Sequence, residues 1–381
     1  MKSMSQEPKK VERRNFMGYA AAIIATGLVV GAGTYLLAPK QTETVTSTIT
    51  TGGGTATKTV TSTVTGTGTV TPKKEYTIWM ADHGNVGSSF WAPCYKGVQD
   101  AIDMLAATGA AKINFKHTYT NEDYSKQADD LKSAVASKPD GILITVPSDP
   151  TLLDATVRKG VAEGIPFIAL NANDQRPIDK MMPYLFYVGE NAQLVGPAMG
   201  VDLNRYINAH SGAFKPKNAL LCNPVSGHII WETRLRLYGQ LMESTFGTKV
   251  VTQVTGVDVT KVPDIVRSLL TQYPDTDLIS ASGGTIDVLW PVFEEAGKTP
   301  GKDLYVTGFD PTADFMAKIQ AGKAVNCFDQ QQYLQGFEPL MQMYMYLAHK
   351  FAIYGTVATG PFIVNETNVA GVKGSAEEGY R

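Results

Sequence analysis

Gly308-Phe309-Asp310-Pro311 sets an aromatic ring beside a carboxylate, and Gln330 follows downstream with an amide. Such a set suits a polyhydroxylated ligand. The C–H faces of a sugar stack on aromatic rings, and neighbouring hydroxyls donate to a shared carboxylate. The same four residues also read as a strand-end turn with a buried Phe and a helix-capping Asp. Trp91 and Trp231 could belong to a core, but their places among polar residues at helix starts favour a cleft wall. Asp82 follows an apolar run and reads either as a site carboxylate or as a cap. Ser282-Gly283-Gly284-Thr285 opens a helix and forms a candidate nest for an anion or hydroxyl. Arg236 lies four residues after Glu232, the spacing of a helix-surface ion pair.

Other chemistries find little support. There is no G-x-S-x-G elbow, no Walker loop and no G-x-G-x-x-G after a strand, so an enzyme is not expected. His83, His117, His210, His228 and His349 show no i,i+4 pairing, and neither a metal nor a cofactor is expected. Cys94, Cys222 and Cys327 are far apart and lie within predicted elements, which makes them buried small hydrophobes rather than a disulfide framework. A formal net charge of −2 over 381 residues gives no reason to expect nucleic acid as a partner.

The elements that must position these groups alternate with little variation. The turn at 308–311 ends a strand over 304–307 and precedes a helix over 314–321. A strand over 324–328 then leads to Gln330. Upstream, strands are expected at 76–81, 113–117, 141–145, 166–170, 185–188, 219–222, 250–254 and 277–280. Amphipathic helices separate them at 89–107, 125–137, 151–163, 191–209, 231–246, 262–273 and 286–296. A Met-rich helix over 333–354 and a short strand over 361–364 close the series. Short continuous apolar strands between amphipathic helices predict an α/β class of parallel sheets covered on both faces. So many strands imply two doubly wound lobes. Pro139-Asp140-Gly141-Ile-Leu-Ile and Pro274-Asp275-Thr276-Asp277-Leu-Ile echo each other in the two halves.

The N-terminus differs. Residues 1–14 carry five Lys/Arg against Glu7 and Glu12, and 15–39 carry no charge. An apolar run of that length spans a bilayer, and the basic flank places the segment after it outside. Arg13-Arg14-Asn15-Phe16-Met17 resembles the twin-arginine export signature and reads also as an ordinary signal anchor. Ala38-Pro39 is a poor cleavage site, so 1–40 is expected to be a retained membrane anchor or signal. No Cys follows the run, and a lipid anchor is not expected. Fifteen of the residues in 41–72 are Thr, and such a segment buries too little surface to offset its chain entropy. It is expected to be a disordered, O-glycosylated stalk.

From residue 75 the chain resembles a known family, the type I periplasmic sugar-binding proteins of ABC importers, in an archaeal-style membrane-anchored form. The resemblance runs to about residue 369. Phe90-Trp91 with Lys96-Gly97 resembles the aromatic pair of the family's first helix, and 121–127 the polar turn before its second. Pro139-Asp140-Gly141-Ile-Leu-Ile and Gly164-Ile165-Pro166-Phe-Ile-Ala-Leu-Asn171 resemble its third and fourth strands. Val188-Gly189-Glu190-Asn191 resembles its first crossover. Arg236 before Gly239, then Gly308-Phe309-Asp310 and Gln330 with Gly336, complete the set. Asn171-Ala172 and Ser282-Gly283-Gly284 depart from it, because relatives commonly carry Asp and Asn-Asp there.

The resemblance implies an N-terminal lobe of 75–188 and 331–357 and a C-terminal lobe of 189–330 and 358–381. Crossings would fall near 187–191, 329–332 and 356–361. A monosaccharide such as xylose or arabinose would sit between Phe90, Trp91, Asn121 and Asn171 on one side and Trp231, Arg236, Ser282 and Asp310 on the other. Asp82 would stand at the first strand end, and Glu190 and Gln330 at the hinge. The implied partners are an ABC permease with its ATPase subunits and, through the anchor, the membrane, with the chain itself a monomer. A ligand-sensing ectodomain, or a binder of a non-sugar molecule such as a nucleoside, is the alternative. A sensor is expected to continue into a second span, and the sequence to Arg381 carries none. Regulators of the lactose-repressor class share this fold but place a helix-turn-helix where this chain has the apolar run and Thr-rich segment.

Overall fold

The alternation folds, in a computed structural model, into two six-stranded sheets covered by helices. The structure describes residues 75–85 and 87–381, and the backbone of 46–51 and 54–59. The expected anchor at 1–40 lies outside the described residues.

In the first unit, residues 1–73, β1 (Thr46–Thr51) pairs antiparallel with β2 (Gly54–Thr59). This differs from the disordered stalk expected for 41–72. Successive β-branched Thr residues favour extended backbone, and they pair here across the Gly52-Gly53 interval.

The second unit, residues 74–381, holds both sheets. The N-terminal series runs β3 (Glu75–Ala81), α1 (Trp91–Ala107), β4 (Lys112–His117), α2 (Tyr124–Ala136), β5 (Gly141–Ile144), α3 (Thr151–Ala162), β6 (Phe167–Leu170) and β7 (Phe186–Glu190). The C-terminal series runs α4 (Ala192–Ala209), β8 (Asn218–Asn223), α5 (Ile229–Phe246), β9 (Lys249–Val254), α6 (Val262–Gln272), β10 (Leu278–Ser282), α7 (Gly283–Ile286), α8 (Trp290–Glu295), β11 (Tyr305–Phe309), α9 (Ala313–Gln320) and β12 (Asn326–Asp329). Then come α10 (Gln332–His349), β13 (Gly355–Gly360), β14 (Phe362–Asn365) and α11 (Val369–Glu377).

One sheet has the order β13-β7-β6-β5-β3-β4, parallel throughout. The other is β14-β12-β11-β10-β8-β9, parallel except for the antiparallel edge strand β14. Strand order therefore reverses beside β3 in the first sheet and beside β8 in the second. Both reversals open a crevice at the strands' C-terminal ends. Every residue of β5, β6, β11 and β12 is buried, as strands with helices on both faces must be. Separate apolar clusters fill the two faces of each sheet, around Leu143 and Phe167 in one lobe and Val306 and Tyr238 in the other.

The chain passes between lobes at Asn191, at Gln330-Gln331 and at Pro361. α10 returns to the N-terminal lobe and packs on α1. Two glycines allow that approach. A Cβ on Gly336 would lie 1.9 Å from the Cys94 carbonyl oxygen, and one on Gly97 2.1 Å from that of Tyr333.

Three element expectations need correction. The helix expected over 286–296 is two pieces, because Pro291 in the first turn of α8 starts a new helix rather than continuing the old one. The helix expected to reach 354 stops at His349, where Lys350 takes a left-handed cap. The residues beyond it form β13, which extends the N-terminal sheet to Gly360. Cys94, Cys222 and Cys327 are buried free thiols.

Candidate functional site

The two crevices face each other across a cavity of about 490 Å³. β3 delivers His83 at its C-terminal end, and the first turn of α1 delivers Phe90 and Trp91. Gln127 fastens this end of the sheet: its amide donates to the Ala81 carbonyl at 3.0 Å and to the Thr145 carbonyl at 2.8 Å. From the other lobe come Pro224 and Val225 after β8, Trp231 and Arg234 on α5, and Ser282 to Thr285 after β10. The lobes touch here. The Ile229 amide donates to the Pro147 carbonyl at 3.1 Å, and the rings of His83 and His228 are 5.3 Å apart.

Arg234 is the cation of the site. Its Nε lies 2.7 Å from Glu190 Oε1 and its Nη2 2.6 Å from Oε2, a two-pronged pair. The guanidinium also stands 4.6 Å from the Trp231 ring centroid and 5.3 Å from that of Phe328. Burial pushes the Glu190 carboxyl above its ordinary value, and Arg234 pulls it back. Asp310 ends β11 in a left-handed conformation (φ +61°). Its Oδ1 accepts from Gln330 Nε2 at 2.5 Å. Burial raises this carboxyl to about 6, against the opposing pull of Arg234. Gly283 sits directly over the turn, where a Cβ would meet the Asp310 carbonyl oxygen at 1.9 Å.

Amides join the lobes at the hinge. Asn171, also left-handed at φ +59°, donates to Gln335 Oε1 at 3.1 Å and to Gln330 Oε1 at 3.4 Å. Gln335 in turn donates to the Gln330 carbonyl at 3.1 Å and to Thr359 Oγ1 at 3.0 Å. The Tyr187 hydroxyl donates to the Asn171 carbonyl at 2.6 Å and so fixes the loop carrying it.

Seven of the expected site residues line this cavity: Phe90, Trp91, Asn171, Trp231, Ser282, Asp310 and Gln330. Four do not. Asp82 is buried behind it, accepting from the Gly84 amide and paired with His117 Nε2 at 2.9 Å, while His83 takes the wall. Asn121 points outward and Glu122 lines the cavity instead. Glu190 stands behind Arg234. Arg236 is exposed on α5, its Nη1 3.4 Å from Gln240 Oε1. The two arginines are two positions apart, more than half a helical turn, so only Arg234 can face the cleft.

His83, Glu122, His228 and Arg234 were not among the expected residues. Arg234 had a signal, because it shares with Trp231 and Tyr238 the buried stripe of α5. Burial lowers His83 to about 3 and takes His228 well below its ordinary value, aided by His83 and Arg234. Both rings are neutral at physiological pH. Among the described residues no group of three His, Cys, Asp or Glu could hold a metal ion.

Such a site binds and encloses. It offers fixed donors, acceptors and rings between two lobes.

Comparison with known proteins agrees with the architecture. A family model described as the periplasmic binding protein domain matches residues 84–351. The xylose/arabinose-binding protein XylF of Sulfolobus acidocaldarius is 25% identical over 291 residues, 74% of this chain and 69% of that protein. A carbohydrate transporter from Acidothermus cellulolyticus, solved in complex with myo-inositol, is 28% identical with a TM-score of 0.68, covering 81% of this chain and 100% of its own. A solute-binding protein from Burkholderia graminis in complex with D-arabinose shares the fold at 20% identity and a TM-score of 0.64, over 77% of this chain and 96% of that one. With two doubly wound lobes, three crossings and a cleft at both strand-order reversals, this chain belongs to the periplasmic binding protein family, in its type I form.

Proposed function

We propose that this protein is the extracellular sugar-binding component of an ABC importer, enclosing a monosaccharide between its lobes and delivering it to the permease. The observation that carries the reading is the convergence of Arg234, Asp310, Asn171 and Gln330 with Phe90, Trp91 and Trp231 around one cavity. Vicinal hydroxyls donate to Asp310 and accept from the Arg234 guanidinium and the amides, while the rings cover the sugar's C–H faces. Lobe closure excludes water and strengthens each of these bonds. Pentoses such as xylose and arabinose come first, since the Sulfolobus relative is named for them. A cyclitol comes next, from the myo-inositol held by the Acidothermus relative. Neither a sensing role nor a nucleoside ligand has an observation in its favour.

In this reading 1–40 anchors the protein outside the membrane and 41–74 is the spacer that lets the lobes reach the permease. The chain works as a monomer without cofactor.

Thermal shift and calorimetric titration against D-xylose, L-arabinose, D-ribose, D-fucose and myo-inositol test the proposal. A cognate ligand at a hundred times its Kd adds about 2.7 kcal/mol of stability. Asp310→Asn tolerates the left-handed backbone, removes the charge and turns one acceptor oxygen into a donor. It should weaken binding by roughly one to two decades, the value of a charge-assisted bond. Wild-type affinity in that variant would sink the cleft assignment.

A further inference from the structure

Glu122 is built into the cleft at a conformational cost. It and Asn121 are consecutive non-glycine residues in the left-handed region, at φ +62° and +56°. Three backbone bonds hold them there: the Thr120 and Asn121 amides donate to the Gly84 carbonyl at 3.2 and 2.9 Å, and the Glu122 amide donates to that of His83 at 3.0 Å. The turn is thereby locked to the strand end that carries His83. It directs Asn121 to solvent and Glu122 to the cavity wall. Left-handed backbone at such residues is strained, and it persists where the surroundings over-determine it.

The carboxyl gains nothing from the protein in return. Glu122 Oε2 is sealed from solvent with no hydrogen-bond partner, unlike Asp310, which holds Gln330, and Glu190, which holds Arg234. A buried polar atom left unpaired is unfavourable, so the carboxyl recovers the deficit by turning this oxygen towards a ligand group at the cavity wall.

We propose that Glu122 is a specificity-determining residue whose carboxyl engages one hydroxyl of the bound sugar, apart from the Arg234–Asp310 group. The inference rests on the sugar-binding reading above. Burial and the charge of Asp82 raise the Glu122 carboxyl to about 8, so at neutral pH it carries its proton. A neutral acid both donates and accepts, and a hydroxyl does the same, so one ligand hydroxyl satisfies it in both senses. A ligand lacking that hydroxyl leaves the carboxyl unpaired inside a closed cleft. Sites built to hydrogen-bond a hydroxyl reject analogues without one for this reason.

The test is a cycle between residue and ligand in the full-length protein. Calorimetry measures wild type, Glu122→Ala, Glu122→Gln, Asn121→Gly and Asp310→Asn against the best binder of the five-member panel and its monodeoxy analogues. Glu122→Ala should weaken the parent sugar by about tenfold and leave a single deoxy analogue unchanged within about twofold. Glu122→Gln keeps a donor and an acceptor and should stay within about threefold of wild type at pH 7. Asn121→Gly, which keeps the left-handed backbone at the outward position, should bind like wild type. An unchanged Glu122→Ala, a loss equal for every analogue, or a Glu122→Gln as weak as Glu122→Ala would each overturn the proposal. If Asp310→Asn loses affinity while Glu122→Ala does not, only this inference falls. If wild type binds none of the panel, the sugar reading falls and takes this inference with it.

Discussion

Replacing Arg234 by Met tests whether the buried pair it forms with Glu190 holds the cleft's inner wall. Both side chains are essentially removed from solvent, at 3% and 0% exposure. Met fills much of the arginine's volume but leaves the Glu190 carboxylate without a partner. Breaking a buried pair from one side costs about 3–5 kcal/mol. For a unit of this size that is a fall in Tm on the order of 5–8 °C. The deficit must depend on pH. Burial already raises the Glu190 carboxyl above its ordinary 4.5, and loss of Arg234 raises it further. The folded variant then holds a proton that the unfolded chain releases, so its stability falls as pH rises above about 4.5 and recovers as pH falls towards that value. Unfolding of Arg234→Met, Glu190→Gln and the double variant at pH 7.5 and pH 5 would show this. The double variant should regain most of the loss at pH 7.5, because no charge is left stranded. Arg236→Met should lie within about 0.5 kcal/mol of wild type, as exposed positions do. A loss below about 1 kcal/mol in Arg234→Met, or one that does not shrink at pH 5, would refute the enclosed pair.

Further expectations are independent of that one. The lowered values of His83 and His228 mean that the folded state rejects protons which the unfolded chain takes up below about 6.5. The stability advantage of wild type over His228→Gln should therefore shrink as pH falls from 6.5 to 4.5, and parallel curves would refute it. Gly336→Ala puts a Cβ against the Cys94 carbonyl, and parting α1 from α10 should cost roughly 1–3 kcal/mol in chemical unfolding. Gly283→Ala pushes on the Asp310 carbonyl in the same way and should lower sugar affinity as well as Tm. Intact-mass analysis of membrane-extracted protein should return an uncleaved N-terminus, and a soluble form starting near Lys40 would refute the retained anchor.

Much of the fold could be read from the chain because parallel strands buried on both faces leave an unmistakable run, as in Gly141-Ile-Leu-Ile144. β13 was missed for the opposite reason. Gly355-Thr-Val-Ala-Thr-Gly360 lies at a sheet edge, and only Thr359 of it is buried, so it carries no such run. The site was harder to read. Trp91, Trp231 and Asp310 advertise themselves by type at strand ends and helix starts. Arg234 and Arg236 are the same residue type on one helix, and only the phase of the apolar stripe separates them. Asn121 and Glu122 differ by a backbone twist that no periodicity encodes, since two successive left-handed residues were required to turn the second one inward. Asp82 and His83 are likewise a strand-alternation question, decided by which neighbour found His117.

The path of α10 and β13 bears on how the protein comes to be folded. α1 meets its covering helix, and β7 its edge partner, only after the parallel strands β8 to β12 of the other lobe have left the ribosome. Until then the N-terminal sheet has an open edge, and the face of α1 around Gly97, Cys94 and Val98 stays bare. Contacts so distant in sequence carry a large loop-closure cost and form late. The C-terminal sheet waits only for its own edge strand β14, which follows β13 directly. The half of the molecule made first is thus the half left unfinished longer, and throughout synthesis it presents a sticky sheet edge that a holding chaperone would have to cover.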